Sequence, residues 1–265
     1  MVAIRRKDNG AVICEVEGES LAGVRLAHAH LTYAALAGAD LRGACFVGTD
    51  FGIGDLSGAD LTSADLTGAD LTGVSLAGAK LAGAQLAGAM VYWADLEGAD
   101  LTGAGAERAV FRLTALDRAV LRDARLERAD LSHASLRSAV LAGADLSEAL
   151  VAYADLSQVD ASYAMLAGAN LTGARLTGAS LRHADLTLAV LHETRLAGAD
   201  LTGAMLGKTV FARCPDLAEA AGLAAVRALA PSSVDIETLR AAAGRLPAEF
   251  VEALGVERAE AGSAR

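Results

Sequence analysis

Aromatic residues are scarce in this chain, at 4% of 265 positions. An ordinary domain of this length would fill its core with more of them, so the interior must be narrow and regular. Only 3 Pro and 3 Cys occur. Cys14, Cys45 and Cys214 are spaced too widely for a zinc motif or a disulfide framework, which fits a reducing compartment. Basic side chains are also short, 23 Lys and Arg against 33 Asp and Glu, for a net charge of −10. A protein that grips a nucleic-acid backbone needs a basic face, so direct nucleic-acid binding is excluded. Long apolar runs are missing as well. Residues 81–94 carry no charge but are too few and too Gly-rich to span a bilayer. Arg5, Arg6 and Lys7 lead into Asp8-Asn9-Gly10 in place of an apolar segment, so no signal peptide is read and a soluble, cytoplasmic protein is expected.

What the chain does contain is a repeat. The hydrophobic fraction of 53% is mostly Ala and Leu, accompanied by 28 Gly. Stepping by five from Leu21 to Phe211 gives 39 positions without insertion or deletion, of which 31 are Leu and four are Phe. Val91, Val151, Ala106 and Ala161 are the departures. A small residue, usually Ala, sits two places before each centre, Asp often lies between them, and Gly often follows two places after. A period of five suits neither a helix nor a plain strand. It suits a short extended segment whose first and third residues point inward, followed by a corner.

Residues of like character also recur every 20 positions. Phe51, Val91, Phe111, Val151 and Phe211 are spaced by multiples of 20, and so are the outward Tyr33, Ile53, Trp93, Leu113 and Tyr153. Four segments per turn follow, giving an all-β solenoid of about ten turns and, at ~4.8 Å per turn, a rod about 45–50 Å long. Ala106 has no larger neighbour to fill its place, so a cavity or distortion is expected there. Gly54 suggests a bulge.

The A(D/N)LXX pattern of residues 21–214 resembles the pentapeptide-repeat family. That resemblance implies a right-handed quadrilateral β-helix. Residues 1–20 are expected to form an entry strand that caps one end, with the strand itself in 11–20. Residues 215–265 are expected to form a small α-helical C-terminal cap, because such stacks need protected ends. In that tail, a helical stretch runs from Pro215 to before Pro231. A second helix starts near Ser232 and Asp235 and stops at Gly244, and a third is framed by Pro247 and Gly255, with 257–265 frayed. The tail at 231–239 and 244–250 resembles the segment joining pentapeptide coils to TIR-like signalling domains, which implies a coil-and-cap unit whose activity lies in a partner.

Neither catalytic residues nor a cofactor or metal site is expected, and the protein is read as non-enzymatic. Ser and Thr are abundant but have no base to activate them, and the Gly residues mark corners with no phosphate loop. His28 and His30 fall near Asp50 and Asp70, where ordinary solvated pairs are expected over a metal site. Two surfaces remain. Met90, Tyr92, Trp93, Val110, Leu113, Leu150, Tyr153 and Val190 should project outward on one side as an apolar wall, the composition of a protein interface with a partner or with a second copy in a homodimer. Charge supplies the other. Residues 15–107 hold 13 acidic and three basic side chains, whereas 108–214 hold 11 and 12. Asp40, Asp50, Asp55, Asp60, Asp65 and Asp70 wrap the early turns. Resemblance to the Qnr-type quinolone-resistance members, which protect DNA gyrase, implies for such a surface a DNA mimic that binds a type II topoisomerase. An Arg belt (Arg108, Arg112, Arg118, Arg122, Arg125, Arg128, Arg137) interrupts the acidic character. The leading expectation is a protein–protein scaffold, and gyrase binding is the alternative.

Overall fold

The computed structural model describes residues 1–255; the frayed end expected at 257–265 lies outside them. The chain winds as a coil in which every fifth residue forms a parallel bridge with the residue 20 positions on, from Arg25 with Cys45 to Asp185 with Met205. Two end elements frame it. Strands β1 (Val2–Arg5) and β2 (Val12–Val16) form an antiparallel hairpin, and helices α1 (Ile236–Ala242) and α2 (Ala248–Ala253) close the described chain.

One segment accounts for all five of its backbone amides, which is why a period of five is stable. Asp60 N–H donates to Ala39 O in the preceding turn at 2.9 Å, and Leu61 N–H to Lys80 O in the next at 2.7 Å. Ser63 N–H donates to Ala82 O at 2.9 Å, while Ala64 N–H closes a local turn on Leu61 O at 2.9 Å. The fifth donor, Thr62 N–H, has no backbone partner and is taken by the Asp60 carboxylate at 3.1 Å. Buried or half-buried amides left unpaired are costly, so the Asp of the repeat serves the backbone first. The local turn needs φ > 0 at its third residue, the type II geometry, hence the frequent Gly there (Gly58, φ 62°).

The centre and the small residue before it face inward. Every centre from Leu31 to Phe211 is buried, and Leu26, close to the open start of the coil, is half-buried. Phe46 and Phe51 pack edge to face with centroids 4.9 Å apart. Gly54 is not a bulge: the register runs through it, and a Cβ there would lie 2.8 Å from Phe51 O. Nor is the ladder distorted at Ala106, whose N–H reaches Arg125 O at 2.7 Å. Four inward positions hold Thr where Ala is usual. Thr49, Thr114, Thr194 and Thr209 are buried, and each hydroxyl donates to a carbonyl of the preceding turn at 2.6–2.8 Å. Cys214 does the same through its thiol, 3.1 Å from Leu191 O, and burial pushes that thiol up to about 12.

The ends differ from the sequence reading in two places. β1 was not expected. It buries Ile4 (1% exposed), and Arg6, just past its end, forms an antiparallel bridge with Ala34 in the coil. The long helix expected at 215–230 is absent. The chain there continues the coil with two 3-10 turns, Leu217–Glu219 and Leu223–Ala225, and short strands. Strand β6 (Arg227–Ala228) pairs with β4 (Met205–Leu206), and β7 (Ser233–Val234) joins β5 (Val210–Ala212), which pairs with β3 (Val190–His192). The inward Leu217 and Leu223 that suggested a helix instead fill the coil interior, now at wider spacing than five. α1 and α2 lie where the sequence puts helices. Asp235 caps α1 through Thr238 N–H at 2.8 Å, and Phe250 of α2 packs edge to face on Phe211.

Candidate interaction surface

The 20-residue register sorts the outward residues into columns. Met90, Val110, Leu150 and Val190 share one column of pairing positions with Asp50, Asp70, Asp130 and Asn170. Trp93, Leu113 and Tyr153 share the adjacent corner column, all with positive φ of 57–60°. So the eight residues of the expected wall do lie on one side. They are not uniformly presented. Trp93 is 67% exposed, Tyr153 55%, Met90 46%, Leu150 45% and Leu113 42%, whereas Tyr92, Val110 and Val190 are half-buried. Asp130 and Asn170 interrupt the column. The apolar area is therefore densest over two successive turns, where Met90, Tyr92, Trp93, Val110 and Leu113 meet and the Tyr92 and Trp93 rings stack at 5.4 Å.

The corner column is rigid for a physical reason. Tyr153 lies over Gly173 in the next turn, against which any Cβ would clash, and His133 stacks on the other face of its ring at 5.2 Å. Long residues over glycines 20 positions on recur at His28 and Gly48 and at His183 and Gly203. Exposed Ile53, Tyr163, Met165 and Leu188 were not assigned to any site from sequence. Ile53 extends the corner column towards the N-terminus. Tyr163, Met165 and Leu188 fall on other columns, a placement the 20-residue spacing does give.

The six acidic residues are distributed around the coil: Asp40 bridges Asp60 and Asp50 bridges Asp70, while Asp55 and Asp65 occupy the two remaining columns. Their carboxylates are already engaged. Asp50, Asp55, Asp60, Asp65 and Asp70 each accept the N–H two residues on at 2.9–3.1 Å, and the Ser57 and Thr62 hydroxyls add bonds at 2.6 Å. Those hydroxyl bonds hold the Asp55 and Asp60 carboxyls below the usual range. Asp40 is paired with Arg42 at 2.8 Å, which pulls it down to about 2. The Arg belt is likewise largely paired between turns. Arg112 meets Asp130 at 3.8 Å, Arg125 meets Glu107 at 2.7 Å, Arg128 meets Glu148 at 2.8 Å and Arg137 meets Asp117 at 3.0 Å, with Arg118 on Glu97. Such exposed pairs contribute little each, but they neutralise five of the seven charges of the belt.

His30 Nδ1 stands 4.0 Å from Asp50 Oδ2 with 90% of its side chain exposed, and His28 turns away onto Gly48. Among the described residues no group of three or more His, Cys, Asp or Glu is placed to hold a metal, and no helix is long and apolar enough to cross a membrane.

A family profile, pentapeptide repeats, matches this sequence in eight copies, with matched segments at 20–52, 55–90, 64–103, 114–151, 139–178, 154–192 and 169–207. The chain belongs to the pentapeptide-repeat family, whose members fold as right-handed β-helices. Among solved structures it is similar to HetL, a pentapeptide repeat protein involved in heterocyst differentiation regulation in the cyanobacterium Nostoc sp. strain PCC 7120. The two are 33% identical over 77% of this chain and 89% of HetL, with a TM-score of 0.53. It is also similar to QnrB1, a plasmid-mediated fluoroquinolone resistance protein, at 16% identity over 80% of this chain and 96% of QnrB1, TM-score 0.39. Rfr23 of the cyanobacterium Cyanothece 51142 shares 34% identity over 42% of this chain and 63% of its own, TM-score 0.22. Neither QnrB1 nor Rfr23 superposes well enough for its function to bear on this chain. No curated protein matches the sequence.

Proposed function

We propose that this protein is a non-enzymatic interaction scaffold of the cytoplasm. In this reading a four-sided β-helix of about ten turns, covered by the β1–β2 hairpin at one end and by a helical cap at the other, holds an apolar wall rigid for docking by a protein. The observation that carries the reading is the cluster of Met90, Tyr92, Trp93, Val110 and Leu113, with Trp93 67% exposed. Tyr and Trp side chains on an ordered backbone lose little entropy when covered, and water-exposed apolar area of this kind favours burial. A second copy of the chain is the simplest occupant, since two-fold homodimers are the commonest assemblies. A separate effector protein is the other occupant, as the linker-like tail at 231–250 implies.

The alternative, an acidic rod that imitates duplex DNA and binds a type II topoisomerase, draws less support. Its six Asp residues are spread around the coil and spend carboxylate oxygens on their own turns. No observation favours it over the wall.

The test is the solution mass by light scattering, in dilute and in high salt, for the wild type and for Trp93→Glu with Tyr153→Glu. The scaffold reading expects a wild-type dimer that tolerates salt and a monomeric variant with an unchanged β-rich circular dichroism spectrum. A dimer that survives both glutamates would remove the wall from the interface. A mass that collapses in salt would point to the charged turns instead.

A further inference from the structure

The side of the rod that carries Gln85 and Arg125 has an open groove of about 780 Å³, the size range of small-molecule sites. Beside it, Gly105 occupies a pairing position and offers no side chain, and Gln85 in the turn before and Arg125 in the turn after close over its backbone. Arg125 donates there to Glu107 at 2.7 Å and to Gln85 at 3.3 Å. Arg128 closes the next wall on Glu148 at 2.8 and 3.1 Å. These pairs use up four of the six charges that line the groove.

Two are left. Glu127 has one carboxylate oxygen, Oε2, withdrawn from solvent without a hydrogen-bond partner. Arg108 lines the same groove with an exposed guanidinium that makes no ion pair or side-chain hydrogen bond among the described residues. Their backbones are joined by Arg108 N–H donating to Glu127 O at 2.9 Å, so the two side chains start from neighbouring corners. A shielded carboxylate oxygen without a donor is an unfavourable arrangement, which turning the half-buried Glu127 side chain into the groove to meet a ligand donor would relieve. The lining as a whole holds three acidic and three basic groups, which disfavours a polyanion or a polycation and suits a ligand with one charge of each sign.

We propose that this groove binds a small zwitterion, a free α-amino acid, whose ammonium group donates to Glu127 while its carboxylate pairs with Arg108. The inference is independent of the apolar wall, which lies on another column.

The experiment is ligand-observed saturation-transfer NMR on the full chain with a mixture of free L-α-amino acids, followed by titration of the strongest binder against wild type, Glu127→Gln and Arg108→Gln. Each variant is expected to weaken binding about tenfold or more, with an unchanged melting temperature for Arg108→Gln because its side chain is exposed. The N-acetyl and the amide forms of the same amino acid, each lacking one charge, should both lose binding. Absence of transfer from every free amino acid would overturn the proposal, as would binding by both variants as tight as by the wild type. An amide that binds as well as the free amino acid would also overturn it, because the carboxylate contact to Arg108 would then be idle.

Discussion

Leu136 shows what a single residue contributes. It is fully buried in a central turn, and its neighbours above and below are fixed by inter-turn hydrogen bonds such as Leu136 N–H to Asp155 O at 2.7 Å. Such a frame cannot collapse inward around a lost side chain. Leu136→Ala is therefore expected to cost about 2–5 kcal/mol, measured as a shift in urea midpoint; a near-neutral result would mean that the inward register is wrong. Asp200 gives a residue-scale prediction in pH. Its carboxylate accepts the Thr202 hydroxyl at 2.5 Å and the Thr202 N–H at 2.9 Å, and it meets Arg182 at 2.8 Å. The Thr202 hydroxyl bond, followed by the backbone bond and Arg182, lowers it from 3.8 to about 2. A depressed folded-state value means the stabilisation is fully present above pH 4 and is lost as pH falls towards 2. Asp200→Asn should lower the melting temperature at neutral pH and flatten its decline between pH 4 and 2. An unaltered acid slope would show that the carboxylate is not stabilised there. The inward Leu and Ala and the capping Asp were legible in the sequence because each has its own place in the five-residue unit. Thr114 and its counterparts were not, since a hydroxyl at an Ala position shows its purpose only once the carbonyl of the preceding turn is placed above it.

Elements follow the same logic with one more level of context. The coil segments were readable because each is closed by its own turn and paired at a constant offset. Residues 215–234 were misread because the offset there widens to 22 and 23 residues, from Met205 with Arg227 and Val210 with Ser233. Apolar residues spaced at three and six then imitate a helix, although only Leu217 and Leu223 fill the coil while Leu229 is exposed. α1 was legible from its cap. Asp235→Ala removes the acceptor for Thr238 N–H at 2.8 Å and for Arg213 N–H at 3.1 Å. A loss of about 1–2 kcal/mol is expected by thermal or urea unfolding; no change would mean that α1 does not hold the end of the coil. At the corners, Gly173→Ala places a side chain at φ 66° and against the Tyr153 ring. A cost of at least about 1 kcal/mol is expected from the backbone alone, and Tyr153→Ala in the same chain should recover the steric part. If the double variant is no more stable than Gly173→Ala, the ring does not rest on that corner.

At the scale of the whole molecule, the repeat makes a rigid rod and leaves function to its surface. The sequence brought the eight wall residues to one side because a 20-residue spacing survives unbroken for most of the chain. It did not show that Tyr92, Val110 and Val190 are half-buried by their neighbours, or that Asp130 and Asn170 break the column. Nor did it show the groove beside Gly105, since its walls form only where Arg125 and Arg128 fold onto Glu107 and Glu148. Whether the wall is covered in the working assembly is reported directly by Trp93, the single Trp of the sequence. Its fluorescence emission should be followed as protein concentration is raised, alongside quenching by iodide. Burial of Trp93 in a protein interface predicts a shift of the emission to shorter wavelength and loss of quenching as the dimer forms. A water-like emission maximum and full quenching at every concentration, in a sample that light scattering shows to be dimeric, would mean that the wall is not the interface.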